Sequence, residues 1–327
     1  MVQMSGALFC LFAAVWGAAH AAPLEYDSSF SLARVPTEVV ANADDPKTAK
    51  MLPLVFWHGM GDSCCDPNRG LGSLIAELES EYGVFVYSIG FGSESEDIKA
   101  GYFGNVNEQV AEACEKLAKV EELKDGFDAV GFSQGGQFLR AVVERCHHKL
   151  PKIRNLISIG GQHQGVMSVP SCLPGSGFLC KWMAYLANKG AYLSWPSTHI
   201  IQAQYVKDPN NLEGYLEHNI FLPYINNEKD ANPLYAKNLA ALDAFIMFRF
   251  SDDTMVVPRD SAWFSFYDGK KLIEIRDQPI YKEDWIGLKQ LDDKGGLLFD
   301  ELSSKHMQFT WEMFRAGVVE KYLLKSV

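Results

Sequence analysis

The chain has 327 residues, of which 47% are hydrophobic and 22% charged. That balance excludes a disordered or collagen-like chain, and the length allows either two domains or one large one. Thirty Lys+Arg against 41 Asp+Glu give a net charge of −11, with no basic run, so nucleic acid is excluded as a general partner. Seven cysteines are too few for a disulfide-stapled miniprotein, and a chain this long buries a sufficient core without them.

In chain order, residues 6–19 form an uncharged run that ends in Ala19-His20-Ala21. The small-x-small ending fits a signal-peptidase site, and fourteen residues fall short of the ~20 that span a membrane. Residues 1–21 therefore read as a cleaved secretory signal, although its first five residues carry no Lys or Arg. Residues 22–50 read as a polar leader. Residues 52–57 (LPLVFW) are a short apolar run before His58-Gly59-Met60-Gly61-Asp62, as a buried strand feeding a glycine loop would be. Helical periodicity follows over 71–82, a β-branched and aromatic strand over 84–88, and a helix over 105–120 with Val106, Val110, Cys114 and Leu117 on one face.

A strand over 127–132, a helix over 134–147 and a strand over 156–159 continue the alternation. Strands alternating with helices of this length imply βαβ units and a mostly parallel sheet flanked by helices. From about 160 to 242 the rhythm breaks into an aromatic-, glycine- and proline-rich stretch with short helices such as 178–193. It resumes with strands over 245–250 and 296–302 and a helix over 308–324. No linker divides the chain, so residues 22–327 read as one α/β domain carrying a large, mainly helical insertion.

Gly131-Phe132-Ser133-Gln134-Gly135 matches G-x-S-x-G. The pentapeptide alone is weak. A preceding strand and a following helix give it the setting of a nucleophile elbow, in which a serine sits on a strained turn and small neighbours let strand and helix approach. A serine hydroxyl needs a base held by a third group, and in α/β-hydrolases the chain order is Ser, then Asp or Glu, then His. Of eight histidines, His306 alone follows the last strand and precedes the last helix, where this fold places its base. Asp252 and Asp253 both follow the strand over 245–250, at the carboxyl end of the sheet where open α/β sheets build their sites. Spacing does not separate them. For an oxyanion hole, the residue after the serine offers the Gln134 N–H, and the early glycine loop offers that of Met60. His58 then reads as a structural loop histidine.

Six cysteines remain after the signal, which holds Cys10: Cys64, Cys65, Cys114, Cys146, Cys172 and Cys180. An even number suits an oxidising route, but six allow fifteen pairings, and adjacent Cα atoms about 3.8 Å apart lie below the usual disulfide range. No Cys/His set has zinc-finger spacing. No Asn-x-Ser/Thr acceptor occurs anywhere.

The chain resembles the palmitoyl-protein thioesterase family of the α/β-hydrolase superfamily. The resemblance rests on HGMGDSCC at 58–65, GFSQGGQFLRAV at 131–142, NLISIGGQHQGV at 155–166, DSAWFSFY at 260–267 and GLKQLDDKG at 287–295. It implies an α/β-hydrolase fold with the insertion forming the acyl-binding region, and Ser133, Asp253 and His306 as a triad. It implies oxyanion donors at Met60 and Gln134, and disulfides Cys64–Cys65, Cys114–Cys146 and Cys172–Cys180. The last two also suit the sequence, one stapling two helices and the other closing a short loop. One departure is Asp252, where the family has an Asn that begins a glycosylation acceptor.

The implied activity is a cofactor-free and metal-free serine thioesterase that removes palmitoyl or similar fatty acyl groups from cysteines of proteins or peptides. The insertion supplies groove candidates in Phe178, Trp182, Tyr185, Leu186, Tyr192, Trp195, Ile220 and Phe221. The alternatives are a secreted lipase or carboxylesterase with the same triad, or a non-catalytic lipid-binding relative. The resemblance implies the lysosome; without a glycan acceptor the extracellular space is the alternative.

Overall fold

A computed structural model describes residues 51–167 and 190–324. The signal-peptide expectation, Cys172–Cys180 and the groove candidates Phe178, Trp182, Tyr185 and Leu186 lie outside the described residues.

Six parallel strands form the central sheet: β1 (Leu54–Trp57), β2 (Val86–Ser88), β3 (Phe127–Phe132), β4 (Ile153–Ile159), β5 (Ala244–Phe250) and, after a two-stranded antiparallel ribbon β6 (Phe266–Tyr267) and β7 (Leu272–Ile273), β8 (Leu297–Leu302). Their spatial order is β2-β1-β3-β4-β5-β8. Every pairing is parallel, so both faces must be covered. The period-two alternation of side chains sorts the core accordingly. Val55, Trp57, Ala129, Leu156, Phe245 and Met247 point to one apolar layer, and Leu54, Phe56, Val130, Ile157, Ile246 and Phe248 to the other.

Helices α3 (Val106–Leu117) and α4 (Gln134–Cys146) cover the first layer. Helix α1 (Gly70–Tyr82) and the carboxyl-terminal segment cover the second. The expected long last helix is a short α-turn, Trp311–Phe314, that widens into a π-helix, Arg315–Leu323. Helix α3 begins at Asn105, whose side chain accepts the Asn107 N–H, as an N-cap does. Cys114 of α3 is bonded to Cys146 at the end of α4, with Cα atoms 6.1 Å apart. Cys64 and Cys65 are bonded to each other.

An additional helix, α2 (Glu94–Ala100), stands between β2 and α3. The described part of the insertion between β4 and β5 carries short helical pieces, including Ser194–His199, Ile201–Tyr205, Leu212–His218 and Pro233–Ala240, and adds no strand to the central sheet. Order, direction and helical cover are those of the α/β-hydrolase fold.

Candidate active site

Strand register gathers the site. Trp57 pairs with Gly131, so the chain leaves β1 through His58, Gly59 and Met60 beside Phe132, Ser133 and Gln134. Phe132 pairs with Ile159, which brings Gly160 alongside Ser133. Phe250 pairs with Leu302, so Asp253, three residues after β5, and His306, four after β8, emerge together at the same carboxyl edge.

Ser133 adopts φ 51, ψ −122. A positive φ in a residue with a Cβ is strained, and here the packing imposes it. A Cβ on Gly135 would lie 2.4 Å from Trp57 O, and one on Gly59 would lie 3.2 Å from Ser133 Cβ. The small residues let α4 and the β1 loop close on the serine from two sides. The serine amide donates to Ile159 O at 2.8 Å. The first turn of α4 then presents its uncapped N–H groups, which favour negative charge beside the side chain.

His306 Nε2 lies 2.8 Å from Ser133 Oγ, and Nδ1 lies 2.7 Å from Asp253 Oδ2. An ionised carboxylate only accepts, so Nδ1 carries the hydrogen and Nε2 of the neutral ring accepts from the serine hydroxyl. The other oxygen of Asp253 accepts the N–H groups of Met255 at 2.8 Å and Val256 at 2.9 Å. Both side chains are nearly sealed from solvent, and the Phe250 ring meets His306 edge-on at 5.5 Å. Asp252 is exposed and engages through its backbone, donating to Ser304 O. The structure thus separates the two aspartates that spacing left open.

Met60 lies on the loop facing Ser133, and Gln134 opens α4. Among the described residues neither amide has a backbone acceptor. The Gln134 side chain is buried and held from three directions. Its Nε2 donates to Gly101 O at 3.0 Å, and its Oε1 accepts from Tyr205 Oη at 3.0 Å and Gln202 Nε2 at 3.3 Å.

His58 is fully buried, with Nδ1 donating to Gly59 O at 2.8 Å and Nε2 3.0 Å from Asp97 Oδ2. The second contact is ionic in character and off the line of an aligned hydrogen bond. Burial pulls the imidazole pKa down, but the Asp97 carboxylate beside Nε2 outweighs it, and the value is raised. Asp97 stays below the usual carboxylate range despite its burial, held by His58 and by the Cys64 and Phe91 N–H groups. The pair anchors the loop that carries Met60. Sequence reasoning placed His58 as structural and missed Asp97. It also missed Gln162, whose Nε2 lies 3.3 Å from Ser133 Oγ.

Of the groove candidates, Phe221 walls a small cavity with Trp57, Val106, Phe138, Ile201 and Tyr205, against Gln134. Tyr192 instead donates to Val206 O, and Trp195 stacks on His199 in an exposed position.

The sequence matches the family model described as palmitoyl protein thioesterase over residues 53–306, a span that begins just before β1 and ends on His306. It is 41% identical to palmitoyl-protein thioesterase 1 of Caenorhabditis elegans over 290 residues, covering 87% of this chain and 96% of that one. It is 31% identical to palmitoyl-protein thioesterase 3 of Dictyostelium discoideum over 261 residues, covering 78% and 84%. Among solved structures, the lin2722 gene product of Listeria innocua aligns with 85% of this chain and 96% of its own at 11% identity, with a TM-score of 0.42. With the matched span enclosing every residue of the Ser133 site described above, the chain belongs to the palmitoyl protein thioesterase family.

Proposed function

We propose that this protein hydrolyses the thioester that joins a long fatty acyl group to a cysteine of a protein or peptide, with Ser133 as nucleophile, His306 as base and Asp253 as its orienting acid. The observation that carries the reading is the unbroken hydrogen-bonded chain Ser133–His306–Asp253 in a member of this family. Ser133 Oγ attacks the thioester carbon and passes its proton to His306 Nε2. Asp253 keeps the ring in the one tautomer that can accept it and steadies the imidazolium. The amides of Met60 and Gln134 receive the negative charge on the carbonyl oxygen. The C–S bond breaks, and the sulfur, whose thiol pKa near 8.5 makes it a better leaving group than an alkoxide, takes up the proton from His306 Nε2 and leaves as the thiol, which returns the ring to its neutral form. Water, deprotonated by His306, attacks the acyl-serine and releases the fatty acid.

The cavity against Gln134 is the start of the acyl path in this reading. It holds about 10 Å³ of free room, against ~300 Å³ or more for a typical ligand pocket. A long chain enters only if Ile201 and Phe221 move away from Trp57 and Phe138. Each buried methylene then contributes about 0.8 kcal/mol, which makes binding sensitive to chain length.

The secretory route and the lysosome belong to the same proposal, supported by the lysosomal thioesterases among the relatives. Among the described residues no helix is long and apolar enough to cross a membrane.

The test is hydrolysis of a palmitoyl thioester and the matched oxygen ester by wild type and Ser133→Ala. We expect thioester preference in the wild type and a loss of at least 10³-fold in kcat for the variant, about the scale of removing a triad member. Undiminished turnover by Ser133→Ala sinks the nucleophile assignment; a strong oxygen-ester preference makes the protein a carboxylesterase.

A further inference from the structure

A second side chain touches the nucleophilic oxygen. Gly160 turns the chain out of β4 at φ +68 and delivers Gln162 to the side of Ser133. Gln162 Nε2 lies 3.3 Å from Ser133 Oγ and 2.8 Å from Gly160 O. Its partner is Gln137, one turn into α4. The backbone N–H of Gln162 donates to Gln137 Oε1 at 2.9 Å, and Gln137 Nε2 donates to Gln162 Oε1 at 2.8 Å.

This reciprocal pair fixes the orientation of both carboxamides. A backbone N–H can only donate, so the atom of Gln137 that meets it is oxygen. The other end of Gln137 is then its NH2, and the atom of Gln162 that meets that is oxygen as well. The remaining end of Gln162 is its NH2, with one hydrogen for Gly160 O and the other for Ser133 Oγ. Both side chains are buried, at 3% and 1% exposure, so water does not compete for these positions. Since Ser133 spends its single hydrogen on His306, its oxygen has lone pairs free to accept from Gln162.

We propose that Gln162 is a further catalytic residue, donating Nε2–H to Ser133 Oγ whenever that oxygen carries excess electron density. The inference rests on the acyl-serine mechanism proposed above. Density collects on Oγ twice: as the serine proton moves to His306 during attack, and again in deacylation. In the second step water adds to the acyl carbon and its proton goes to His306. The C–Oγ bond then breaks, Oγ keeps the electron pair, and the proton returns to it from His306 Nε2. In the first step the group expelled from the intermediate is the substrate sulfur, which departs readily. In the second it is the serine oxygen, a poorer leaving group, so a donor on Oγ acts most strongly on deacylation. The 3.3 Å separation at rest can shorten as charge develops.

The experiment compares wild type with Gln162→Met, which keeps length and removes the donor. Gln137→Met is the second variant and removes the group that orients Gln162. Active sites are counted by irreversible labelling with a serine-directed alkyl phosphonate, so misfolded protein does not enter the rates. On a palmitoyl thioester we expect kcat per labelled site to fall about 10- to 100-fold for Gln162→Met, below the 10²–10³ of a full oxyanion donor, and by less for Gln137→Met. KM should fall with kcat, and the acyl-enzyme seen by intact mass after acid quench should rise from a minor to the major species. A merely structural role lowers the number of labelled sites and leaves the acyl-enzyme lifetime per site unchanged, which overturns the proposal, as does an unchanged kcat. If the wild type forms no acyl adduct at Ser133, the thioesterase mechanism itself has failed; if it does and Gln162→Met decays at the wild-type rate, this inference alone has failed.

Discussion

Replacing Asp97 by Asn keeps the side chain's shape and removes its charge at a position with no exposure to solvent. Asp97 Oδ1 accepts the Phe91 N–H at 2.9 Å, and Oδ2 accepts the Cys64 N–H at 2.8 Å and lies 3.0 Å from His58 Nε2. An Asn has one oxygen, so its NH2 must face a backbone N–H at one of the two ends. A buried donor left without a partner costs about 1–3 kcal/mol, and removing one member of a buried ion pair costs about 3–5 kcal/mol. The same contacts underlie both figures, so the expected loss is about 3–5 kcal/mol in all. Its pH dependence follows from the two shifts. The raised His58 contributes stability that is fully present below its ordinary pKa of 6.5 and is lost as pH rises through the folded value. The lowered Asp97 contributes above its ordinary 3.8 and loses that as pH falls through the folded value. The full contribution therefore lies between about pH 4 and 6.5. Urea unfolding at pH 5 and pH 9 should show the wild-type–variant gap larger at pH 5. A gap below about 1 kcal/mol, or one equal at both pH values, refutes the buried ion pair.

Gly135→Ala puts a Cβ 2.4 Å from Trp57 O and 3.1 Å from His58 O, both backbone atoms. Helix α4 must back away from the β1 loop, at about 1–3 kcal/mol, and the Met60 and Gln134 amides separate. Thioester kcat should drop more than about tenfold, since misplacement alone costs that much; a variant with wild-type kcat contradicts the close-approach argument. At Glu144, burial pushes the carboxyl pKa up to about 7, with Arg140 offsetting only part. A raised acid favours the folded state below its ordinary 4.5 and loses that as pH rises through about 7. The stability advantage of wild type over Glu144→Gln should therefore shrink between pH 5 and pH 8. Arg140 keeps its bonds to Ile225 O and Asn226 Oδ1 in the variant. Equal urea midpoint differences at the two pH values would count against the shift.

The sheet was legible because parallel strands buried on both faces read as short apolar runs; the strand expected over 127–132 is observed as Phe127–Phe132. Ser133 and His306 were legible because elbow chemistry and chain order constrain them, whereas Asp252 and Asp253 differ only in which one the turn after β5 buries. Helix α2 was missed although it carries a local signal. Ser93 and Glu96 form a capping box, with the Ser93 N–H donating to Glu96 Oε2 at 2.8 Å, and Asp97 follows immediately. Gln162 lies in the GGQHQGV run that carries the family resemblance, but nothing in that run indicates a contact with Ser133. Its role depends on β3–β4 register and on Gln137 twenty-five residues earlier, and neither shows in periodicity. The last helix was read as regular over 308–324, whereas the chain forms an α-turn that widens into a π-helix over Arg315–Leu323, a change of winding that leaves the apolar spacing nearly the same.

The residue at 134 ties these pieces together. A backbone N–H at the start of α4 is available from any residue but proline, so the oxyanion role does not by itself call for glutamine. The side chain does. Its amide donates to Gly101, at the end of the helix that carries Asp97, and its oxygen accepts from Gln202 and Tyr205 of the insertion. Few side chains of this length offer a donor and an acceptor at once. Asp97 in turn holds His58 and the Cys64 amide, on the chain that presents Met60. Both proposed oxyanion amides are thus braced through α2, one from each side. The insertion reaches the same brace through Tyr205, which also walls the cavity beside Gln134. Ile201, Gln202 and Tyr205 lie on one short helical segment, so the wall of that cavity and the brace on the Gln134 side chain are the same element.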